Sequence, residues 1–140
     1  MNFDPNNLVV KLCTEGMTLE GEGKTQEALQ LFKQAWDEAS NNFEKFTAAH
    51  YVARLQETLA DKLGWDQIAL DLALQIQDES IKASLPSLYL NVGKGYECLH
   101  DHIKAKEHYQ LAHNWAEFLP DDDYGNMING GIKRAIERTH

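Results

Sequence analysis

A chain of 140 residues with 43% hydrophobic and 25% charged side chains holds enough apolar material for one folded domain and too much for a disordered one. Its formal net charge of −9 opposes approach to a phosphate backbone or an anionic bilayer, which sets nucleic acid and membrane surfaces aside as partners. Cys13 and Cys98 are too far apart for a metal-type pair and read as small buried thiols of a reducing cytoplasm. The first residues lack the basic and apolar regions of a secretory signal, and the most apolar stretch, 68–76, is too short to span a bilayer.

The pattern predicts seven helices in chain order. The first covers about 5–20, with Asp4 as its cap, Pro5 in its first position and Leu8, Leu12, Gly16 and Leu19 on one face. Gly21-Glu22-Gly23 ends it. The second covers about 25–39, with Thr25 as cap and Ala28, Phe32, Ala35 and Ala39 as its stripe. A longer third helix is expected over 42–63, broken by Gly64, and a fourth over 65–79 with Ile68, Ala69, Leu72, Ala73 and Ile76 inward. The stretch before Pro86 is ambiguous, and a fifth helix begins near Ser84 with Leu88, Val92, Gly93 and Tyr96. His100-Asp101-His102 makes a turn into a sixth helix reaching about residue 118. After Pro120, the acids Asp121, Asp122 and Asp123 open a seventh that carries Ile128, Ile132 and Ile136. No apolar–polar alternation supports a sheet.

One lettering recurs. Gly16, Leu19, Ala28, Phe32 and Ala35 are matched in spacing by Gly93, Tyr96, Ala105, Tyr109 and Ala112. A degenerate middle copy reads Glu57, Ala60, Ala69, Ala73 and Ile76. Two antiparallel helices approach closely only where a small residue sits at their crossing, so Gly16 is expected to meet Ala28 and Gly93 to meet Ala105, with Phe32 and Tyr109 filling the space against the next hairpin. Repetition of this kind marks stacked helical hairpins.

On these residues the chain resembles the tetratricopeptide repeat family. Val92 stands where that family's motif has leucine in the last copy and Glu15 in the first. The resemblance covers about 8–119 and implies an all-α, right-handed superhelical array of three hairpins, about 5–39, 42–79 and 84–119, in a single domain. A capping helix over about 121–138 would close it, with Lys133, Arg134, Glu137 and Arg138 on its polar side. A generic helical bundle is the alternative.

In such arrays the first helix of each hairpin lines a concave groove. That places Cys13, Met17 and Glu20, then Tyr51, Arg54, Thr58 and Asp61, then Leu90, Asn91, Lys94 and Glu97 along it. Cys13, Met17 and Leu55 stand where a carboxylate-gripping set of some family members would need polar side chains, so that grip is not expected. The expected occupant is a protein or peptide, basic or amphipathic, lying against Met17, Tyr51, Arg54, Thr58, Asn91, Lys94 and Glu97. Self-association, as a homodimer or scaffold, is the second reading, with Trp36, Trp65 and Trp115 as packing residues or anchors.

Catalysis and cofactors are not expected. Gly21-Glu22-Gly23-Lys24 follows no strand and reads as a hairpin turn, not a nucleotide loop. His100 and His102 beside Asp101 offer too few ligands for a metal, and His50 reads as a satisfied packing histidine.

Overall fold

Asn7, not Asp4, starts the first helix in the computed structural model, which describes residues 4–140. The Asn7 Oδ1 accepts hydrogen bonds from the backbone N–H of Val9 and Val10, while Asp4 and Pro5 form a preceding turn. Helix α1 therefore runs Leu8–Gly21, a turn shorter than Pro5 suggests. Among the described residues the remaining helices are α2 (Thr25–Glu38), α3 (Asn42–Arg54), α4 (Leu59–Leu74), α5 (Leu85–Cys98), α6 (His102–Trp115) and α7 (Asp123–Thr139). Short 3-10 turns cover Glu79–Ala83 and Ala116–Phe118, and no strand is present among the described residues. The chain is all-α. Among the described residues no helix is long and apolar enough to cross a membrane.

The middle of the chain departs from the expected helix boundaries. The break falls at Leu55–Thr58, not at Gly64. Thr58 is the cap of α4, its hydroxyl accepting from the Asp61 N–H at 3.0 Å. Gly64 lies exposed within α4 with open space around it. An exposed glycine weakens a helix by only about 1 kcal/mol, too little to end a well-packed one. The fourth helix also stops at Leu74, and Ile68, expected inward, is exposed.

The chain divides into two units, Met1–Ile76 and Gln77–His140. In the first, α1 pairs with α2 and α3 with α4 as hairpins. Its core gathers Val9, Leu12, Cys13, Ala35 and Ala48, and beside them Ala28, Phe32 and Val52. Gly16 is there because Phe32 lies against it: a Cβ at Gly16 would overlap the ring. Trp36 and Trp65, both half-buried, meet edge to face at 5.2 Å between ring centroids.

Helices α1 and α3 run in the same direction. At their starts Asn7 Nδ2 donates to Glu44 Oε2 at 2.8 Å. At their ends the Arg54 Nη2 donates to Glu20 Oε2 at 3.2 Å. The Asn7 hydrogen bond, with help from Ser40, holds the Glu44 carboxyl below its ordinary pKa.

In the second unit α5 and α6 form the hairpin and α7 packs against both. Gly93 repeats the role of Gly16, since a Cβ there would lie 2.6 Å from Tyr109 Cε1. Pro86 sits in the first turn of α5, where its missing N–H costs nothing. The ambiguous stretch before it is the 3-10 turn Glu79–Ala83, whose Lys82 ammonium stands 5.1 Å over the Phe118 ring. Asp122 caps α7 through the Gly125 N–H, and no side chain fits at Gly125 because the Pro120 carbonyl occupies the space. Helices α5 and α7 are parallel: Leu90 lies against Gly131, and Glu97 binds Arg138, each 41 positions later.

Two of the three hairpin turns share one conformation. Gly23 between α1 and α2 and His100 between α5 and α6 both adopt left-handed backbone, with φ of 81° and 65°. The α3–α4 turn has no such residue.

The middle hairpin also carries a different lettering from the one expected. Helices α2 and α4 begin 34 residues apart, at Thr25 and Leu59. That register makes Ala69 the counterpart of Ala35 and Ala112, all three fully buried, and not of Ala28. Glu57, Ala60 and Ile76 leave the motif. His50 takes the glycine position and Asp66 the aromatic one.

Candidate functional site

The exposed faces of the parallel pairs α1/α3 and α5/α7 hold most of the residues that the groove reading names.

On the first unit, Met17 is 43% exposed on α1. Tyr51 on α3 is half-buried, and its ring stacks on Phe32 at 5.2 Å. The Arg54 guanidinium lies 5.8 Å from the centroid of the Tyr51 ring while it pairs with Glu20. This ion pair is bonded through one carboxylate oxygen. Arg54 Nη2 is also 3.2 Å from Glu20 Oε1, but that buried atom accepts no hydrogen bond, so the contact there is electrostatic only. The result is an apolar strip whose charges are spent on each other. Three expected members do not belong to it. Cys13 is buried, with its thiol pushed up to about 12 by desolvation. Thr58 and Asp61 are the cap and first turn of α4.

On the second unit, Asn91 is half-buried and Lys94 exposed on α5. Leu90, expected on the face, is buried against Gly131. Glu97 is fully engaged. It accepts from Arg138 Nε at 2.7 Å and Nη2 at 2.9 Å, and from the Tyr109 hydroxyl at 2.5 Å. The guanidinium beside it holds the Glu97 carboxyl down at about 2. Burial and the Glu97 hydrogen bond raise the Tyr109 phenol above its ordinary value. Glu97 thus positions Arg138 and does not point a free charge outward. A shallow depression beside the pair is lined by Lys94, Glu97, Cys98 and Arg138. Cys98 is exposed there, not buried as the sequence suggested.

Arg134 and Arg138 are the residues that sequence reasoning left in the capping helix. A signal for Arg138 existed. Glu20 and Glu97 occupy the same repeat position, directly after Leu19 and Tyr96. Each binds an arginine near the end of the next parallel helix, Arg54 or Arg138.

Around the α5–α6 turn the polar side chains serve the helix itself. Asp101 caps α6 by accepting from the Lys104 N–H at 3.1 Å, and His108 Nδ1 is 2.8 Å from the Lys104 carbonyl. Among the described residues no cluster of His, Cys, Asp and Glu could hold a metal ion. His50 is not satisfied: its Nδ1 is buried without a hydrogen-bond partner, although the residue as a whole is half-buried. Asp66 on α4 is 2% exposed and accepts from Lys62 Nζ at 2.8 Å.

Neither a family model nor a curated protein matches this chain.

Proposed function

We propose that the chain is a tetratricopeptide-like interaction module that receives a peptide or amphipathic helical segment of a partner protein on the faces of its first helices. The observation that carries the reading is the repeated frame. In each unit two parallel first helices, α1/α3 and α5/α7, are tied by a glutamate–arginine pair. Each unit also has a second helix locked to its hairpin mate by a glycine–aromatic contact. Rigid parallel helices hold exposed side chains in a fixed pattern, which lowers the ordering cost of binding. Met17, Tyr51, Asn91 and Lys94 are the residues offered for contact.

The test is a quantitative pull-down with Arg54, Asn91 and Lys94 replaced together by alanine. Loss of a specific partner supports the reading. An undiminished partner removes it.

Self-association as a scaffold has one observation of its own. On α6, Ile103 is 77% and Leu111 37% exposed, beside Lys106, Glu107 and Gln110. Sedimentation that finds only monomer across a wide concentration range removes that reading.

A further inference from the structure

The charge on the α5/α7 face runs against the charge of the chain. In a protein of net −9, the residues turned outward beside the Glu97–Arg138 pair are Lys94 and Arg134. Both are exposed, and neither has an ion-pair or hydrogen-bond partner among the described residues.

Their placement follows from the helix pairing. Lys94 lies between Leu90 and Glu97 on α5, one turn from each. Arg134 lies between Gly131 and Arg138 on α7 in the same way. Leu90 touches Gly131 and Glu97 binds Arg138, so two rungs of contact bracket the level at which Lys94 and Arg134 stand. The backbones of Lys94 and Arg134 therefore flank the α5–α7 seam at one level, with the Arg134 guanidinium lying back over Gly130, one turn toward the start of α7.

The carboxylate nearby does not cancel them. Glu97 is saturated by three donors, and the Arg138 groups that reach it are Nε and Nη2. The outer edge of that guanidinium, Nη1, is left for another acceptor. The remaining acid of this part of α7, Glu137, turns to a different depression with Lys133, Ile136 and His113. Asp101 is occupied in capping α6.

We propose that this face binds an acidic peptide segment of a partner protein, whose carboxylates sit between Lys94 and Arg134 and over the outer edge of Arg138. Charge complementarity selects the partner: a glutamate- or aspartate-rich segment gains at this face and is repelled by the rest of the acidic surface, which fixes where it docks. The inference rests on the interaction-module reading and narrows it, replacing the basic segment expected from overall charge with an acidic one at this unit.

The experiment is fluorescence anisotropy of the full chain with a labelled dodecapeptide of alternating glutamate and alanine. Matching peptides carry glutamine or lysine for glutamate, and a single-stranded oligonucleotide serves as a phosphate probe. The glutamate peptide binds and weakens as salt is raised. The double variant Lys94→Glu, Arg134→Glu loses on the order of tenfold or more in affinity. Lys94→Arg with Arg134→Lys retains binding. Circular dichroism confirms the fold of each variant, and Lys94→Gln with Arg134→Gln replaces the reversed pair if that one unfolds. Three results overturn the proposal: no binding of the glutamate peptide, binding that the variants leave unchanged, or tighter binding of the oligonucleotide. A partner still lost from the Arg54, Asn91 and Lys94 triple variant would then leave the broader module reading standing.

Discussion

His50 and Asp66 stand 16 residues apart on α3 and α4, the spacing that separates Gly16 from Phe32 and Gly93 from Tyr109. The middle hairpin has exchanged a glycine and an aromatic for two titratable groups. Close approach of two helices over a flat ring is replaced by an imidazole with a buried, unbonded Nδ1 and a buried carboxylate held by Lys62.

That exchange sets a dependence on pH. Burial, with Arg54 and Lys62 nearby, lowers the His50 pKa to about 4, against about 6.5 in the unfolded chain. The fold therefore favours neutral His50. Its contribution is complete above about pH 6.5 and is lost as pH falls toward about 4, because the unfolded chain takes up the proton first. Asp66 acts oppositely: burial raises its pKa, so acid relieves its cost in the fold. Urea unfolding of the wild type should show stability falling between pH 6.5 and 4.5 by an amount on the order of 2 kcal/mol. In His50→Gln that part of the slope is absent. Parallel pH profiles for the two proteins would contradict the assignment.

Glycine to alanine should change sign with position. At Gly64, exposed in α4 with open space around it, alanine gains helix propensity, and stability rises by about 1 kcal/mol. At Gly16 the new methyl group meets Phe32, and at Gly93 it meets Tyr109. Each of those variants should lose about 1–3 kcal/mol after the propensity gain is counted. Thermal unfolding followed by circular dichroism separates the three. A gain at Gly16 would mean that its ring contact does not constrain the hairpin.

Legibility in sequence followed the strength of the local rule. The positions of Gly16, Phe32, Gly93 and Tyr109 are legible because a close helix crossing tolerates few other residues, but the group pressed on each glycine is the aromatic of its own hairpin mate, not Ala28 or Ala105, and the ring does not wait for the next hairpin. The middle hairpin was misread because His50 and Asp66 break that lettering, which drew the alignment seven residues too far, onto Ala69 as the partner of Ala28. Thr58 with Asp61 three positions later is the start signal of α4, a pattern that the expected helix over 42–63 runs through. The face residues of α1, α3 and α5 are placed by the resemblance, which assigns the first helix of each hairpin to the groove. Arg134 is not, since its importance depends on α7 lying parallel to α5. That pairing is long-range, and no local pattern encodes it.

The turn between α5 and α6 holds a small store of strain. His100 has φ of 65°, where its counterpart Gly23 has φ of 81°. A side chain in left-handed backbone costs about 1–2 kcal/mol, and glycine gives back part of this through its freer unfolded state. His100→Gly should raise stability by up to about 1 kcal/mol, and Gly23→Ala should lower it by about 1 kcal/mol. Unfolding midpoints in urea check both. A loss in His100→Gly would show that its ring contact with His102, at 6.2 Å between centroids, outweighs the backbone strain.

The Glu97–Arg138 pair joins α5 to α7 and should be the acid-sensitive link of the second unit. The folded carboxyl sits at about 2, below its ordinary value near 4.5, so its contribution is full above about pH 4.5 and is lost as pH falls toward 2. Arg138 is 49% exposed as a side chain, which screens the charge, so the pair is worth about 1–2 kcal/mol and not the full value of the shift. Glu97→Gln leaves the Tyr109 hydroxyl a partner but removes the charge, while Tyr109→Phe keeps the charge and removes one donor. Glu97→Gln should therefore flatten the acid limb of the stability profile, and Tyr109→Phe should lower stability by about 1 kcal/mol above about pH 4.5 and make the acid limb shallower, since the lost donor also helps hold the Glu97 carboxyl down. Because Arg138 is aimed by Glu97, Glu97→Gln should also loosen the seam beside Lys94 and Arg134. Hydrogen exchange in the last two turns of α7 would then speed up, whereas unchanged exchange there would show that packing alone, through Ile132 and Ala135, holds the helix in place.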